Sequence, residues 1–241
     1  MRIKKTMSLA LLAGAATFAS AGAASAQVTA NVALTSDYVF RGISLSDGAA
    51  VQGGFDYSSS LWYAGVWGSS VIEGTELNLY AGVTPTTGPV KWDFGLIGYF
   101  YPGANDDAAE FDYFELKAAG TASLSDQFSL GGGVYWSPEN YGDTGEALYL
   151  EVNGEFKVSD AFLFSGAFGN QSVEDPDGPF GLADEDDYNT WNLGASYAIH
   201  GFTLDLRYHD TDIEAGSDIA AYATGPRSYD SAVVFTVSRE L

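Results

Sequence analysis

One pair of residues has the types needed for acid–base catalysis: His209 is followed directly by Asp210. A histidine oriented by a carboxylate can act as a general base toward a water molecule or a serine. The pair ends the alternating stretch "FTLDLRYHD", and neighbouring residues of a strand point to opposite faces. Asp210 can therefore orient His209 only if the strand has already ended. We favour a non-catalytic histidine and predict no enzyme, with a hydrolase that uses His209 as an alternative.

Two acidic stretches could bind a divalent cation. "EDPDG" (residues 174–178) and "DEDD" (residues 184–187) offer the carboxylate oxygens that Ca²⁺ and Mg²⁺ prefer, but the twelve-residue spacing of an EF-hand is absent. We expect solvated acidic loops, with a weak ion site at Asp175 and Asp177 as the alternative. Two histidines and no cysteine disfavour a transition-metal site, and we predict no cofactor.

β-Strands are the elements that must position these side chains. Apolar and polar residues alternate in "LYLEVNGEFKV" (residues 148–158), which gives a strand one apolar and one polar face. "WNLGASY" and "FTLDLRYH" repeat the pattern. Each segment has the length of roughly 9–11 residues that a tilted strand needs to cross a bilayer. We predict twelve strands, with starts near Val28, Ala50, Trp62, Glu76, Lys91, Tyr113, Phe128, Leu148, Phe162, Thr190, Phe202 and Ser231.

The connections between these strands alternate between long and short. Such alternation is typical of an outer-membrane barrel, which has tight periplasmic turns and longer external loops. We therefore predict an all-β protein, an antiparallel transmembrane β-barrel of twelve strands with long acidic extracellular loops. The long connections lie around residues 44–48, 69–75, 102–112, 138–146, 172–189 and 210–230, and the short ones around 58–60, 85–89, 124–127, 159–161 and 200–201.

Aromatic residues are predicted to form two belts at the two ends of the apolar face. Each short turn precedes an aromatic residue that opens the next strand, and a second group lies at the opposite strand ends. Amphipathic rings at both borders of an apolar band are typical of a membrane–water interface. The belt residues are Tyr38, Phe40, Trp62, Trp92, Phe114, Phe128, Trp136, Phe162, Trp191, Phe202 and Tyr208.

The charged side chains within the strands all fall on the polar face. A charge at the bilayer midplane costs about 2–4 kcal/mol, so an apolar face without charges is expected of a lipid-facing wall. The polar face would then line an interior with more acids than bases, which weakly favours cations over anions. A filled barrel is the alternative to an open one. The predicted lining residues are Asp37, Arg41, Asp56, Glu76, Lys91, Asp93, Glu115, Lys117, Glu151, Glu155, Lys157, Asp205, Arg207, Tyr63, Trp67, Tyr80, Tyr99, Tyr135 and Tyr149.

The first 26 residues predict a cleaved signal peptide. Basic residues at the N-terminus precede a short apolar run over residues 9–19, which ends at the cleavage pattern "ASA". An uncleaved membrane helix is the alternative, but the run is short and rich in alanine. Residues 27–241 then form a single barrel domain. The absence of cysteine excludes a lipoprotein anchor and disulfides, and the net charge of −22 disfavours nucleic acid as a partner, because phosphates would be repelled.

The segment "SDYVFRGISLSD" begins at Ser36 and combines charged and aromatic residues. On a strand, Asp37 and Arg41 share a face but stand about 13 Å apart, at ~3.4 Å per residue, so they cannot form a direct pair. We expect the glycine after Arg41 to end the first strand. Arg41 would belong to a charge network that narrows the interior, with Asp47 and Glu76 as candidate partners.

The same segment carries a family resemblance. "SDYVFRGIS", followed by "AVQGGFDYS", "WYAGVWGSSV" and "ELNLYAG", is similar to the TorF-family porins, also called the Gcw_chp group. The resemblance covers essentially the whole chain after the signal peptide. It implies an outer-membrane β-barrel of a Gram-negative bacterium with a channel role, and it names no solute. One departure concerns the C-terminus, because such barrels usually end on an aromatic residue and this chain ends on Leu241.

These patterns together predict an outer-membrane channel for the passive diffusion of small solutes, with a preference for cations. Its partners would be outer-membrane lipid and lipopolysaccharide, the permeating solutes and the barrel-assembly machinery. A non-conducting structural or adhesive barrel is the alternative, and an outer-membrane rim hydrolase using His209 ranks below it. No sequence pattern marks a subunit interface, so no oligomeric state is predicted.

Overall fold

The structure is a computed structural model that describes residues 27–104, 110–174, 187–213 and 229–241. The predicted signal peptide, residues 1–26, lies outside the described residues. So do Asp175 and Asp177, the alternative ion site. Within the described residues, no helix is long and apolar enough to cross a membrane.

Twelve long strands and three two-residue strands account for the described secondary structure. Every long strand begins within three residues of its predicted start, because period-2 alternation marks a strand that has one apolar and one polar face. The long strands are β1 (Gln27–Thr35), β4 (Ala50–Ser58), β5 (Trp62–Val71), β6 (Gly74–Val83), β8 (Val90–Phe100), β9 (Tyr113–Ser123), β10 (Phe128–Ser137), β11 (Ala147–Lys157), β12 (Phe162–Val173), β13 (Asp187–Ile199), β14 (Phe202–Thr211) and β15 (Ala232–Glu240). The short ones are β2 (Val39–Phe40), β3 (Ile43–Ser44) and β7 (Thr86–Thr87).

The long strands form a closed antiparallel ring. Each pairs with its neighbours along the chain, β6 pairs with β8, and β1 pairs with β15 so that the first and last strands meet. The register of that closing pair places Asn31 opposite Glu240 and Thr35 opposite Thr236. Each long strand among the described residues therefore has a hydrogen-bonded partner on both sides, as a wall in lipid requires. The predicted twelve-stranded antiparallel barrel is confirmed.

The burial pattern is the reverse of that in a soluble protein. In β11, the side chains of Leu150 and Val152 are 44% and 58% exposed, whereas Tyr149 and Glu151 are 5% and 7% exposed. Apolar side chains therefore cover the outside of the ring and polar ones fill the inside. This arrangement is stable where lipid, rather than water, contacts the outer wall.

The predicted belt residues on the long strands lie on this outer face. Six of them are exposed and three are partly exposed, at one end or the other of their strands. The exposed ones are Trp62, Trp92, Phe114, Phe128, Phe202 and Tyr208, and the partly exposed ones are Trp136, Phe162 and Trp191.

One predicted long connection is a tight turn. Residues 69–75 were expected to form a loop, but Val71 pairs with Gly74 and only Ile72 and Glu73 lie between β5 and β6. Gly74 has a φ of 115°, a conformation that glycine adopts without steric cost and that allows the tight return. The polar residues Ser69, Ser70 and Thr75 therefore belong to the strands, where they pair across the hairpin.

A charge on the outer wall provides a test of its lipid contact. Val152 lies at the centre of β11 on the outer face, so Val152→Arg is expected to lower the free energy of unfolding by about 2–4 kcal/mol. Val158→Arg, in the turn after the same strand, is expected to cost about 0–1 kcal/mol. Urea unfolding of the refolded variants in lipid vesicles measures both. Equal effects of the two substitutions would contradict a lipid-facing wall.

Candidate functional site

The chain enters the interior of the ring directly after β1. This strand ends at Thr35, and residues 36–48, here called the inserted segment, contain the hairpin of β2 and β3. The turn between the two short strands consists of Arg41 and Gly42, with φ values of 47° and 86°. Two consecutive residues with positive φ in a two-residue loop form a type I′ turn, which suits a tight hairpin.

Polar contacts within the inserted segment hold its shape. Ser44 Oγ donates a hydrogen bond to Asp37 Oδ1 at 2.7 Å, and Ser46 Oγ lies 3.0 Å from the same oxygen. The backbone N–H of Tyr38 donates to Ser46 Oγ at 2.8 Å. Asp37, predicted as a charged lining residue, instead stabilises the base of the hairpin.

The aromatic residues of the inserted segment pack inside the ring. Tyr38 is 6% exposed, and its ring meets Trp67 edge-on at 5.5 Å. Phe40 packs in the same way on Tyr99 at 5.9 Å. The prediction that Tyr38 and Phe40 belong to a membrane belt was therefore wrong. Its premise was strand alternation, which stops applying where β1 ends at Thr35.

Arg41, at the tip of the hairpin, is bound by the opposite wall. Its Nη1 and Nη2 atoms donate to the two carboxylate oxygens of Glu115 at 2.7 and 2.9 Å, and Nη1 also donates to Gln171 Oε1 at 2.9 Å. The guanidinium carbon lies 4.2 Å from the ring centroid of Tyr149 and 5.3 Å from that of Tyr135. Bidentate pairing with a carboxylate and stacking on an aromatic ring are both strong, geometrically specific interactions of the planar guanidinium group.

The partner of Arg41 differs from the candidates proposed from the sequence. Asp47 and Glu76 were the candidates, but Glu115 forms the ion pair. Side-chain exposures of 9% for Arg41 and 1% for Glu115 place the pair away from solvent. Burial alone lowers the pKa of the Arg41 guanidinium, but the Glu115 carboxylate outweighs it and raises that pKa well above its ordinary value. Arg41 is therefore a permanent cation.

A second carboxylate holds the base of the inserted segment. Glu76 is 1% exposed and accepts hydrogen bonds from Tyr38 Oη at 3.1 Å, Asn78 Nδ2 at 2.7 Å and Tyr101 Oη at 3.2 Å. Burial, together with the charge of Glu76, raises the pKa of Tyr38, so its hydroxyl stays protonated and can donate. The inserted segment is thus anchored to the wall at Glu76 and at Glu115.

Another group of inward charges lies nearer the short-turn ends of the strands. Lys117 Nζ pairs with Asp93 Oδ2 at 2.7 Å, and Tyr63 Oη donates to Asp93 Oδ1 at 2.7 Å. Tyr80 Oη donates to Asp56 Oδ1 at 2.5 Å. These residues come from β4, β5, β6, β8 and β9, so adjacent strands share one polar layer on this side of the interior.

The other side of that layer is organised by Arg207. Its guanidinium binds Asp205 Oδ2 at 3.1 Å, Asn192 Oδ1 at 2.7 Å and Ser165 Oγ at 2.8 Å. Glu155, on the inner face of β11 and opposite Ser165 in the strand register, is partly buried. The predicted inward orientation of Asp205, Arg207 and Glu155 agrees with the structure, and their role as lining residues stays a prediction.

Lys91 and Lys157 lie at the short-turn margins. Lys91 is the second residue of β8 and is partly buried. Lys157 is 49% exposed and pairs with Asp160 of the following turn at 2.8 Å. Lys157 therefore does not join the inner charge network, because its strand ends there and its flexible side chain reaches the turn instead.

The His209–Asp210 pair does not assemble. His209 is 8% exposed and inward, whereas Asp210 accepts hydrogen bonds from Tyr208 Oη at 2.6 Å and from the backbone N–H of Thr211 at 3.0 Å. Both residues belong to β14, which continues to Thr211, so they face opposite sides of the wall. Asp210 therefore does not orient His209.

Sequence reasoning missed several polar residues around the inserted segment. Gln171 lies on the inner face of β12, and Phe168 lies exposed on the outer face. The alternation of β12 could have identified Gln171 as an inward residue. Tyr113 stacks on Tyr99 at 4.5 Å with an interplanar angle of 8°, and it opens β9 on the inner face. Tyr101 lies just after the end of β8 at Phe100, where strand alternation gives no orientation, so only the folded chain shows its contact with Glu76.

Comparison with known proteins places this architecture among solved barrels. The NanC porin superposes with a TM-score of 0.56 at 10% identity, covering 88% of this chain and 98% of that one. The KdgM porin gives a TM-score of 0.55 at 7% identity, covering 88% and 97%. Likeness at this identity shows a shared fold. A search of curated proteins gives no match.

A family comparison covers nearly the whole sequence. The "SDYVFRGIS" stretch and the strands on both sides of it lie within the matched region, residues 19–241. The chain belongs to the family described as "Bacterial protein of unknown function (Gcw_chp)".

Proposed function

We propose that this protein is an outer-membrane channel for the passive diffusion of small solutes, with a preference for cations. The observation that carries the proposal is a closed ring with an apolar outside and a charged inside, narrowed by the segment that Arg41 anchors to Glu115. Export by a signal peptide over residues 1–26, insertion by the barrel-assembly machinery and contact with lipid and lipopolysaccharide belong to the same proposal. The solved porins of similar fold support it.

The cation preference is supported by how the inner charges are paired. The inward cations Arg41, Lys117 and Arg207 each bind a carboxylate. Other inward carboxylates accept hydrogen bonds from neutral donors: Glu76 from tyrosine and asparagine, Asp56 from Tyr80. Negative charge is therefore left uncompensated along the interior, and an acidic lining favours the passage of cations.

The same lining argues against acidic sugars as solutes. One solved structure of similar fold is the KdgM porin in complex with disordered oligogalacturonate, which matches with a TM-score of 0.54 at 6% identity. A polyanion of that kind would meet Glu151, Glu155 and Asp56 on the inner face of this barrel. Acidic sugars of that kind are therefore not expected to pass through this barrel.

Planar-bilayer recording tests the channel directly. The refolded protein is expected to give discrete conductance steps. Under a potassium chloride gradient, the sign of the reversal potential is expected to show that potassium is more permeant than chloride. The folding of the preparation is verified by gel electrophoresis, in which a folded barrel migrates differently before and after heating. Folded wild-type protein that inserts without any conductance steps would contradict the channel.

Removing one inner cation should sharpen the preference. Lys117→Gln leaves Asp93 without its ion pair, and the cation-to-anion permeability ratio is expected to rise about fivefold, since a unit charge at ~4 Å contributes about 1 kcal/mol in water. Lys157→Gln is the matched control, because that lysine pairs with Asp160 at the margin. A ratio that changes equally in both variants would show that Lys117 does not face the permeation path.

A non-conducting structural or adhesive barrel is the second candidate. The observation that favours it is the inserted segment itself, whose buried Tyr38 and Ile43 occupy space inside the ring. A plugged barrel would give no steps as wild type but clear steps as Arg41→Ala, which releases the tip of the hairpin. A channel would conduct in both forms.

A further inference from the structure

The pocket that holds Arg41 is built almost entirely by the wall. Glu115 lies on β9, Tyr135 on β10, Tyr149 on β11 and Gln171 on β12. Strand pairing aligns Tyr135 with Tyr149, and Tyr149 with Gln171, in one row across adjacent strands. The exposures of the four side chains range from 1% to 6%. The backbone hydrogen bonds of the ring therefore hold these four residues side by side independently of the inserted segment.

The chemistry of the pocket matches a guanidinium group. Glu115 presents both carboxylate oxygens to a planar fork, Gln171 presents an amide oxygen, and the Tyr149 ring offers its face at 4.2 Å. A guanidinium satisfies all three partners at once, whereas an ammonium is a point charge that cannot form the bidentate pair. The aromatic face adds cation–π attraction.

The group that now fills the pocket belongs to a different element. Arg41 lies at the tip of the hairpin, in its two-residue turn, and it crosses the interior from the β1 side to reach strands β9 to β12. The hairpin contributes one ring to the pocket, Phe40, at 4.7 Å from the guanidinium carbon. Arg41 thus acts as an intramolecular ligand that a free ligand of the same chemistry can replace.

We propose that this pocket is a guanidinium-binding site of the barrel wall, and that solutes bearing a guanidinium group bind there by displacing Arg41. Displacement releases the tip of the inserted segment from the opposite wall and opens that level of the interior to that class of solute. The proposal rests on the channel function and names its substrate class.

The intramolecular ligand sets how strongly a free solute binds. A tethered group competes at an effective concentration in the millimolar range. Free guanidinium compounds are therefore expected to bind the wild type at least about tenfold more weakly than a variant whose pocket is empty. Such weak occupancy suits a permeating solute, which must enter and leave its site.

Thermal unfolding of the refolded full chain tests the pocket without any need for conduction. Millimolar methylguanidinium is expected to raise the unfolding temperature of Arg41→Ala, because a ligand that binds only the folded state stabilises it. Methylammonium at the same concentration is expected to have no such effect. In Arg41→Ala/Glu115→Gln, where the carboxylate is replaced by its isosteric amide, neither cation should stabilise the fold. Equal effects of the two cations, or rescue that persists in the double variant, would overturn the proposal.

Wild-type permeation gives a second measurement that needs no variant. Under bi-ionic conditions, methylguanidinium is expected to be more permeant than methylammonium, although it is the larger cation. A ratio that follows size alone would overturn the guanidinium site while leaving the channel intact. Rescue of Arg41→Ala by methylguanidinium in a protein that gives no conductance steps would keep the binding site and reject the channel.

Discussion

Replacing Arg41 with alanine is expected to lower the free energy of unfolding by about 3–5 kcal/mol, the usual cost of leaving a buried charge without its partner. The Glu115 carboxylate, which is 1% exposed while Arg41 is bound, would lose both of its guanidinium hydrogen bonds. The same change removes the contact that holds the hairpin tip to β9 and β12, so single-channel conductance should rise. Unfolding by urea in lipid vesicles, followed by the fluorescence of the five tryptophans, measures the first effect.

A change at Glu115, the partner of Arg41, shows whether that cost comes from the carboxylate left without its ion pair. Adding Glu115→Gln to Arg41→Ala replaces the buried charge with a neutral amide, so the double variant should recover most of the lost stability while its conductance stays high. The pair would then show strong coupling in a double-mutant cycle. Additive losses in the two single variants would mean that Arg41 and Glu115 stabilise the barrel independently, contrary to the bidentate geometry.

Replacing Gly42 with alanine is expected to expel the hairpin tip from the wall. A Cβ atom at this position would overlap the Thr211 methyl group and lie 2.6 Å from Thr190 Oγ1, and the φ of 86° is itself unfavourable for alanine. The expected loss is about 2–4 kcal/mol of unfolding free energy, because strain and overpacking add. Conductance should rise as it does for Arg41→Ala, since the same tip is displaced.

Gly88→Ala provides the matched control for this effect. Gly88 also has a positive φ, 58°, but nothing lies within 4 Å of the position that its Cβ would take. That variant should lose only about 1 kcal/mol, the cost of the left-handed conformation, and its conductance should stay at the wild-type value. Similar losses at both glycines would show that close contact with Thr190 and Thr211 is unimportant for the inserted segment.

The inserted segment is anchored to the wall at two heights. Tyr38 holds its base to Glu76, and Arg41 holds its tip to Glu115. Releasing the tip leaves the base in place, which is why the two tip variants should change conductance and stability without dismantling the barrel. The contacts of Asp37 with Ser44 and Ser46 keep the hairpin folded in either state.

The sequence by itself determined the barrel. Period-2 alternation is a local property of strands with two different environments, so it located twelve strands and assigned Glu151 inward and Val152 outward without knowledge of the fold. Mostly short connections between successive strands favour pairing in chain order, and the described residues show that ring. The inward phase also placed Glu115 and Tyr149 in a common interior, though not as neighbours of each other or of Arg41, which lies beyond the end of β1.

Only the tertiary structure decided what fills that interior. Alternation continues through "SDYVFRG" although β1 ends at Thr35, so the sequence pattern could not show that Tyr38 and Phe40 turn inward rather than toward lipid. The choice of Glu115 over Asp47 or Glu76 depends on a contact between residues 74 positions apart. Such a contact is decided by how far the hairpin reaches across a closed ring, and no local pattern encodes that distance.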